Sequence, residues 1–131
     1  MERYFLSELQ EGHTLEVFRD GEAIFSSSGH WLHPLFELED FIKENNLNPQ
    51  ELSLHDSIQG RAAAALTVRL GIKKVNCTTI SSLALSYYRK VGIEPFYEKS
   101  VPKILCKTED FISESMSEDE IYELLRIRAQ R

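Results

Sequence analysis

The chain has 131 residues, 42% hydrophobic and 27% charged, which fits one globular domain and excludes a disordered or fibrous protein. Its 21 acidic and 15 basic residues give a formal charge of −6, which argues against nucleic-acid binding, because phosphate neutralisation needs a clustered excess of Lys and Arg. Cys77 and Cys106 are too few for a disulfide framework and form no CxxC pair, so the chain reads as reduced and cytoplasmic. No apolar run approaches the ~20 residues of a membrane span, and no signal-peptide pattern opens the chain.

From Glu2 to Gln10 the spacing of Phe5, Leu6 and Leu9 predicts a short opening helix, stopped by Gly12. Leu15 to Arg19 and Glu22 to Ser26 flank Asp20-Gly21, a two-residue hairpin signal. Leu35, Leu38, Phe41 and Ile42 then recur at helical spacing, predicting a helix from Pro34 to Asn45. Glu51 to His55 reads as a short strand, and Asp56 to Gly60 as the loop before a helix from Arg61 to Leu70 capped by Gly71. The small side chains of Ala62 to Ala65 allow that helix to lie close against a sheet. A strand over Ile72–Cys77, a helix over Ile80–Val91 and a strand over Ile93–Tyr97 follow. Ser117 with Glu120 has the capping-box spacing and starts a last helix running to Arg128. The order α-β-β-α-β-α-β-α-β-α predicts a mixed five-stranded sheet with an N-terminal β-hairpin and helices on both faces.

The run Asp56-Ser57-Ile58-Gln59-Gly60-Arg61-Ala62-Ala63-Ala64, together with Ile80-Ser81, Gly92-Ile93 and Val101-Pro102-Lys103-Ile104, resembles a family of uncharacterised prokaryotic proteins. That resemblance spans about Thr14 to Lys107 and implies a cytidine deaminase-like fold, a three-layer α-β-α sandwich, without the zinc site. It makes residues 1–131 one deaminase-like domain with 108–131 as a C-terminal helical tail. After Ile104 the chain departs from the family's usual Asn-Arg and Cys-Pro-Met-Glu continuation and reads Leu105-Cys106-Lys107 instead.

A zinc deaminase needs a His or Cys opening one helix beside a Glu, and Pro-Cys-x-x-Cys opening the next. Neither motif is present, so zinc and cytidine deamination are not expected, and no cofactor is implied. Three of the four histidines, His30, His33 and His55, nevertheless fall near the two helix starts, with Asp56 beside the last. They are the candidate ligands for a divalent ion, weighed against a plain reading as loop and strand-end histidines.

Asp56, Gln59, Gly60 and Arg61 form the stronger candidate site. A strand ending in Asp, then Gly, then a helix opened by Arg61 directs backbone N–H groups and a positive charge at one point beyond the strand ends. Ser27, Ser28 and Gly29 offer further donors at the neighbouring helix start; the plain alternatives are a capping Asp, a turn glycine and a solvated Arg61. An exposed Arg61 would bind an anion, and Arg61→Ala would leave the melting temperature nearly unchanged. Trp31 is a candidate cover for the same crevice, while one of Tyr87 and Tyr88 must meet the core.

Three functions compete: a domain binding a small anionic or nucleotide-like ligand; an enzyme of non-deaminase chemistry using Asp56 as base and Arg61 to stabilise negative charge; and a structural partner protein with no ligand. A homodimer is compatible with each, and neither nucleic acid nor membrane is expected as partner.

Overall fold

A computed structural model of the chain describes residues 5–103 and 116–129. Asp20 and Gly21 take φ values of 53° and 80°, the paired positive angles of a tight hairpin turn. They join β1 (Leu15–Arg19) to β2 (Glu22–Ser27) in antiparallel pairing. There follow α1 (His33–Glu44), a single 3-10 turn at Pro49–Glu51, β3 (Ser53–Gln59), α2 (Arg61–Leu70), β4 (Lys74–Ser81), α3 (Ser82–Lys90), β5 (Phe96–Val101) and α4 (Glu118–Arg128). The five strands make one mixed sheet in the order β2-β1-β3-β4-β5. β1 runs antiparallel to both neighbours, whereas β3, β4 and β5 are parallel.

α1, α2 and α3 each carry the chain between parallel strands in the same sense across the sheet, so right-handed crossovers put all three on one face. α2 lies at the centre of that layer, against α1, α3 and α4. The expectation of helices on both faces therefore does not hold among the described residues. The opposite face is met by Phe5–Gln10, which form a turn and an extended strap in place of the expected helix. Asn76 Nδ2 donates to the Phe5 carbonyl at 3.0 Å, and His55 Nδ1 lies 2.8 Å from the Ser7 carbonyl. A helix would spend those carbonyls on its own amides four residues on. The sheet's side chains hold them instead, and the buried Phe5 packs edge-on to Phe96 with ring centroids 5.8 Å apart. Residues 2–4 of the expected helix lie outside the described residues.

The strands are longer than their sequence patterns. β3 runs on through Asp56 to Gln59, replacing the expected loop, because Asp56, Ile58 and Gln59 pair with Cys77, Thr79 and Ile80 of β4. β4 likewise runs on past Cys77 to Ser81, so Cys77 is mid-strand, and the last strand falls at Phe96–Val101 rather than Ile93–Tyr97.

Ala62 to Ala65 are all buried, and the fully buried Leu15, Leu54, Ala64 and Ala65 meet in one core. Gly71 ends α2 at φ 94°, where a Cβ would also press to 3.3 Å on Pro49. α4 starts with the predicted capping box: Ser117 Oγ accepts from the Glu120 amide at 3.2 Å, and Glu120 Oε1 reaches back to the Ser117 amide. Its fully buried Ile121 and Leu125 seat it on the helical layer, each contributing about 1.5–3 kcal/mol by burial. Arg69 Nη1 and Tyr122 OH both donate to Glu39 at 2.6 Å, and the Arg69 guanidinium lies 3.5 Å from the Tyr122 ring centroid. Burial alone would raise the Glu39 carboxyl, but these two donors outweigh it and hold it below its ordinary range. Both Tyr87 and Tyr88 are buried, Tyr88 completely. Among the described residues no helix is long and apolar enough to cross a membrane.

Candidate functional site

The carboxyl end of β3, the N-terminus of α2 and the β2–α1 loop enclose a cavity of about 570 Å³. That volume lies in the range of small-molecule sites. Asp56, Gly60, Gly29, His30 and Trp31 line it, so five sequence candidates meet there. The two bounding helices start differently. α1 closes its own start, because the His33 amide donates to the His30 carbonyl at 3.3 Å, Pro34 has no N–H and the Leu35 amide donates to the Leu32 carbonyl at 3.1 Å. α2 is capped by Gly60 without a side-chain hydrogen bond, and Gly60 lines the cavity, so the positive end of the α2 dipole stands there without a capping side chain.

The β2–α1 loop is fixed by short polar contacts. Thr14 Oγ1 donates to the Gly29 carbonyl at 2.7 Å, the Gly29 amide donates to Ser27 Oγ at 3.1 Å, and Ser27 Oγ donates to Glu37 at 2.9 Å. A Cβ on Gly29 would fall 3.2 Å from Glu37 and 3.3 Å from Ser27 Oγ, so the close approach of this loop to α1 favours glycine. Ser27 is therefore a loop brace, and Ser28 is exposed and away from the lining. Trp31 lines the cavity with φ 60°, an angle non-glycine residues seldom adopt, and packs edge-on to His33.

Asp56 is nine-tenths buried and has no ion-pair partner among the described residues. Burial pushes its carboxyl from the usual 3.8 up to about 7, against the hydrogen bonds from Gln59 and from the Ser57 and Ile58 amides. Gln59 does not line the cavity. It is fully buried beneath Asp56, with Nε2 donating at 3.1 Å to Asp56 Oδ2 and at 3.1 Å to Thr67 Oγ1. Tyr88 OH donates to Gln59 Oε1. Strict alternation would send Asp56 and Gln59 to opposite faces, so their meeting marks an irregularity in β3 that residue pattern alone does not reveal.

Arg61 departs from its expected place. Its side chain is buried, with the guanidinium 5.8 Å from the Tyr87 ring centroid, and it does not line the cavity. Successive helix residues point about 100° apart, so with Ala62 and Ala63 lining the cavity, Arg61 turns back toward α3. There it also feels Glu118, which takes a hydrogen bond from Tyr87 OH. The cation that does line the cavity is Lys103, beyond β5, beside Val101 and Thr79; Val101 and Lys103 belong to the Val101-Pro102-Lys103-Ile104 run, which carried no expectation of a site.

The histidine set is not brought together. His30 lines the cavity, His33 is exposed beside Trp31, and His55 lies on the opposite face under the strap, 2.9 Å from Thr78 Oγ1. Among the described residues no three His, Cys, Asp or Glu side chains gather closely enough to hold a metal ion. Burial, with Asp56 nearby, pushes the Cys77 thiol well above its ordinary range, so it is no ready nucleophile.

A family model described as a domain of unknown function, DUF1893, matches residues 5–127. A search of curated proteins gives no match. The fold is similar to the crystal structure of a DUF1893 family protein from Thermotoga maritima, with a TM-score of 0.80 at 22% identity, covering 90% of this chain and 82% of that one.

Proposed function

Since the chain belongs to the DUF1893 family, whose description carries no activity, its function has to be argued from its own cavity, and we propose that it is a small-molecule binding domain. The observation that carries this reading is Asp56, a nine-tenths buried carboxyl lining a cavity beside the N-terminus of α2, which has no side-chain cap. A buried carboxyl with no ion-pair partner among the described residues is costly to ionise unless a ligand group meets it. The ligand is of nucleotide-like size and mixed character: hydrogen-bond donors toward Asp56, a flat body beside Trp31, and an anionic group toward the α2 amides and Lys103. On the resemblance of its sequence, the domain would be a deaminase-like fold turned to binding, with a carboxyl in place of a zinc set at the strand ends.

Thermal-shift screening against nucleoside monophosphates and sugar phosphates tests it. A binder should raise the melting temperature in a concentration-dependent way, and Ala63→Leu, which fills the cavity wall, should abolish the shift. A panel without any shift, or shifts indifferent to Ala63→Leu, would remove the reading. Asp56 near pKa 7 also favours a second reading, an enzyme with Asp56 as general base. Its signature is turnover of the bound compound that Asp56→Asn abolishes. Arg61 has no part in either.

A further inference from the structure

The bonding around Asp56 narrows the class of ligand. The side chain that meets this carboxyl donates to it, Gln59 Nε2 at 3.1 Å, while the nearby Ser57 amide, which favours the ionised form, is itself committed to the Thr14 carbonyl at 2.9 Å. The Gln59 amide cannot be turned round to change this. Thr67 Oγ1 donates to the Ala63 carbonyl at 2.8 Å and so must accept from Gln59 Nε2, while Tyr88 OH donates to Gln59 Oε1. The orientation of Gln59, and with it the acceptor role of Asp56, is fixed by the buried network behind it.

Among the described residues no charge balances the carboxyl from behind. α2 offers only the methyl groups of Ala62 and Ala63, β4 offers Cys77 and Thr79, and α3 offers Tyr88; His30 and Lys103 stand in the cavity lining. The thiol and the phenol are both pushed up by burial and stay neutral. A carboxylate accepts along about four lone-pair directions, and the Gln59 donor behind it leaves room for donors from the cavity side.

We propose that the cavity holds its ligand by a planar amidine-type edge, positively charged when bound, whose N–H groups donate to Asp56 and supply the charge the carboxyl lacks. This rests on the small-molecule reading above and adds the polarity of the ligand: the N–H edge goes down to Asp56, and any anionic end faces the α2 N-terminus and Lys103. Binding of such a cation favours the ionised carboxyl, so it expels the proton that Asp56 holds near neutral pH.

Benzamidine and its neutral isostere benzamide separate the idea from its alternatives by calorimetric titration of the whole protein. Benzamidine should bind at least about tenfold more tightly, the scale of one charge-assisted bond over a neutral one. At pH 6.5, heats in two buffers of different ionisation enthalpy should show release of about 0.8 proton, and affinity should rise about fourfold from pH 6.5 to pH 8. Asp56→Asn, an isostere that keeps the Gln59 contact, should erase both the preference and the proton release. Equal affinities, or a preference that survives Asp56→Asn, would overturn the proposal. Nucleotide-induced melting shifts without benzamidine binding would overturn it alone, while silence from nucleotides and benzamidine together would bring down the binding reading as well.

Discussion

Replacing Asp56 by Asn removes a titrating group from a place where burial opposes its charge, and the effect on stability can be worked out. The carboxyl binds protons more tightly in the fold than in the unfolded chain, with its pKa at about 7 against 3.8. Folding is therefore favoured by this group below about pH 4, and that advantage is lost as pH rises to about 7. At about 1.4 kcal/mol per pKa unit the whole loss is about 4 kcal/mol, more than half of which falls between pH 5 and pH 8. Asn at this position is neutral throughout. Urea unfolding of the wild type and Asp56→Asn at several pH values, taken as a difference, cancels the other carboxylates. The variant should gain on the wild type by about 2–3 kcal/mol from pH 5 to pH 8. A difference that stays flat would mean that Asp56 is hydrated or paired, and the account of an uncompensated buried carboxyl would be wrong.

Tyr88→Phe should cost about 1–3 kcal/mol in urea unfolding, since it strands the buried Gln59 Oε1 without a donor. Leu125→Ala should cost about 2–5 kcal/mol and loosen α4, read as faster amide exchange at Ile121 to Arg128. Arg61→Ala, harmless if the side chain were solvated, should lower stability by about 1–2 kcal/mol through lost packing on Tyr87, and should leave the affinity for any cavity ligand nearly unchanged. Gly71→Ala should cost about 1–2 kcal/mol, because φ 94° suits only glycine and the new methyl meets Pro49.

What the sequence disclosed was punctuation. Asp20-Gly21, Gly60, Gly71 and the Ser117/Glu120 pair act through their own backbone angles or through atoms three residues away, so the hairpin, the bounds of α2 and the start of α4 were readable. The strap was not. Phe5, Leu6 and Leu9 carry a helical spacing that loses to Asn76 and His55, far along the chain, which claim the Phe5 and Ser7 carbonyls. The extension of β3 to Gln59 likewise depends on β4 lying alongside. In the candidate site, Asp56, Gly60 and Gly29 follow from the rule that open α/β sheets place ligand sites beyond their strand ends, whereas His30, singled out as a metal ligand, lines the cavity without His33 or His55. Arg61 was misread because nearness to that point in sequence says nothing of which side of α2 a side chain takes. Thr79, Val101 and Lys103 reach the cavity by topology alone.

The alanines of α2 have a second consequence. Ala62 and Ala63 line the cavity while the fully buried Ala64 and Ala65 sit in the core, so one short run decides both how near the helix lies to the sheet and how much room a ligand finds. At position 63 each added methylene is subtracted directly from the occupant, since the backbone there is anchored by the core next to it. A ladder of Ala63→Ser, Ala63→Val and Ala63→Leu is thus a gauge of molecular girth. The step at which a given compound ceases to bind measures its thickness at that depth, and compounds sharing one recognition edge but differing in bulk would drop out in order of size.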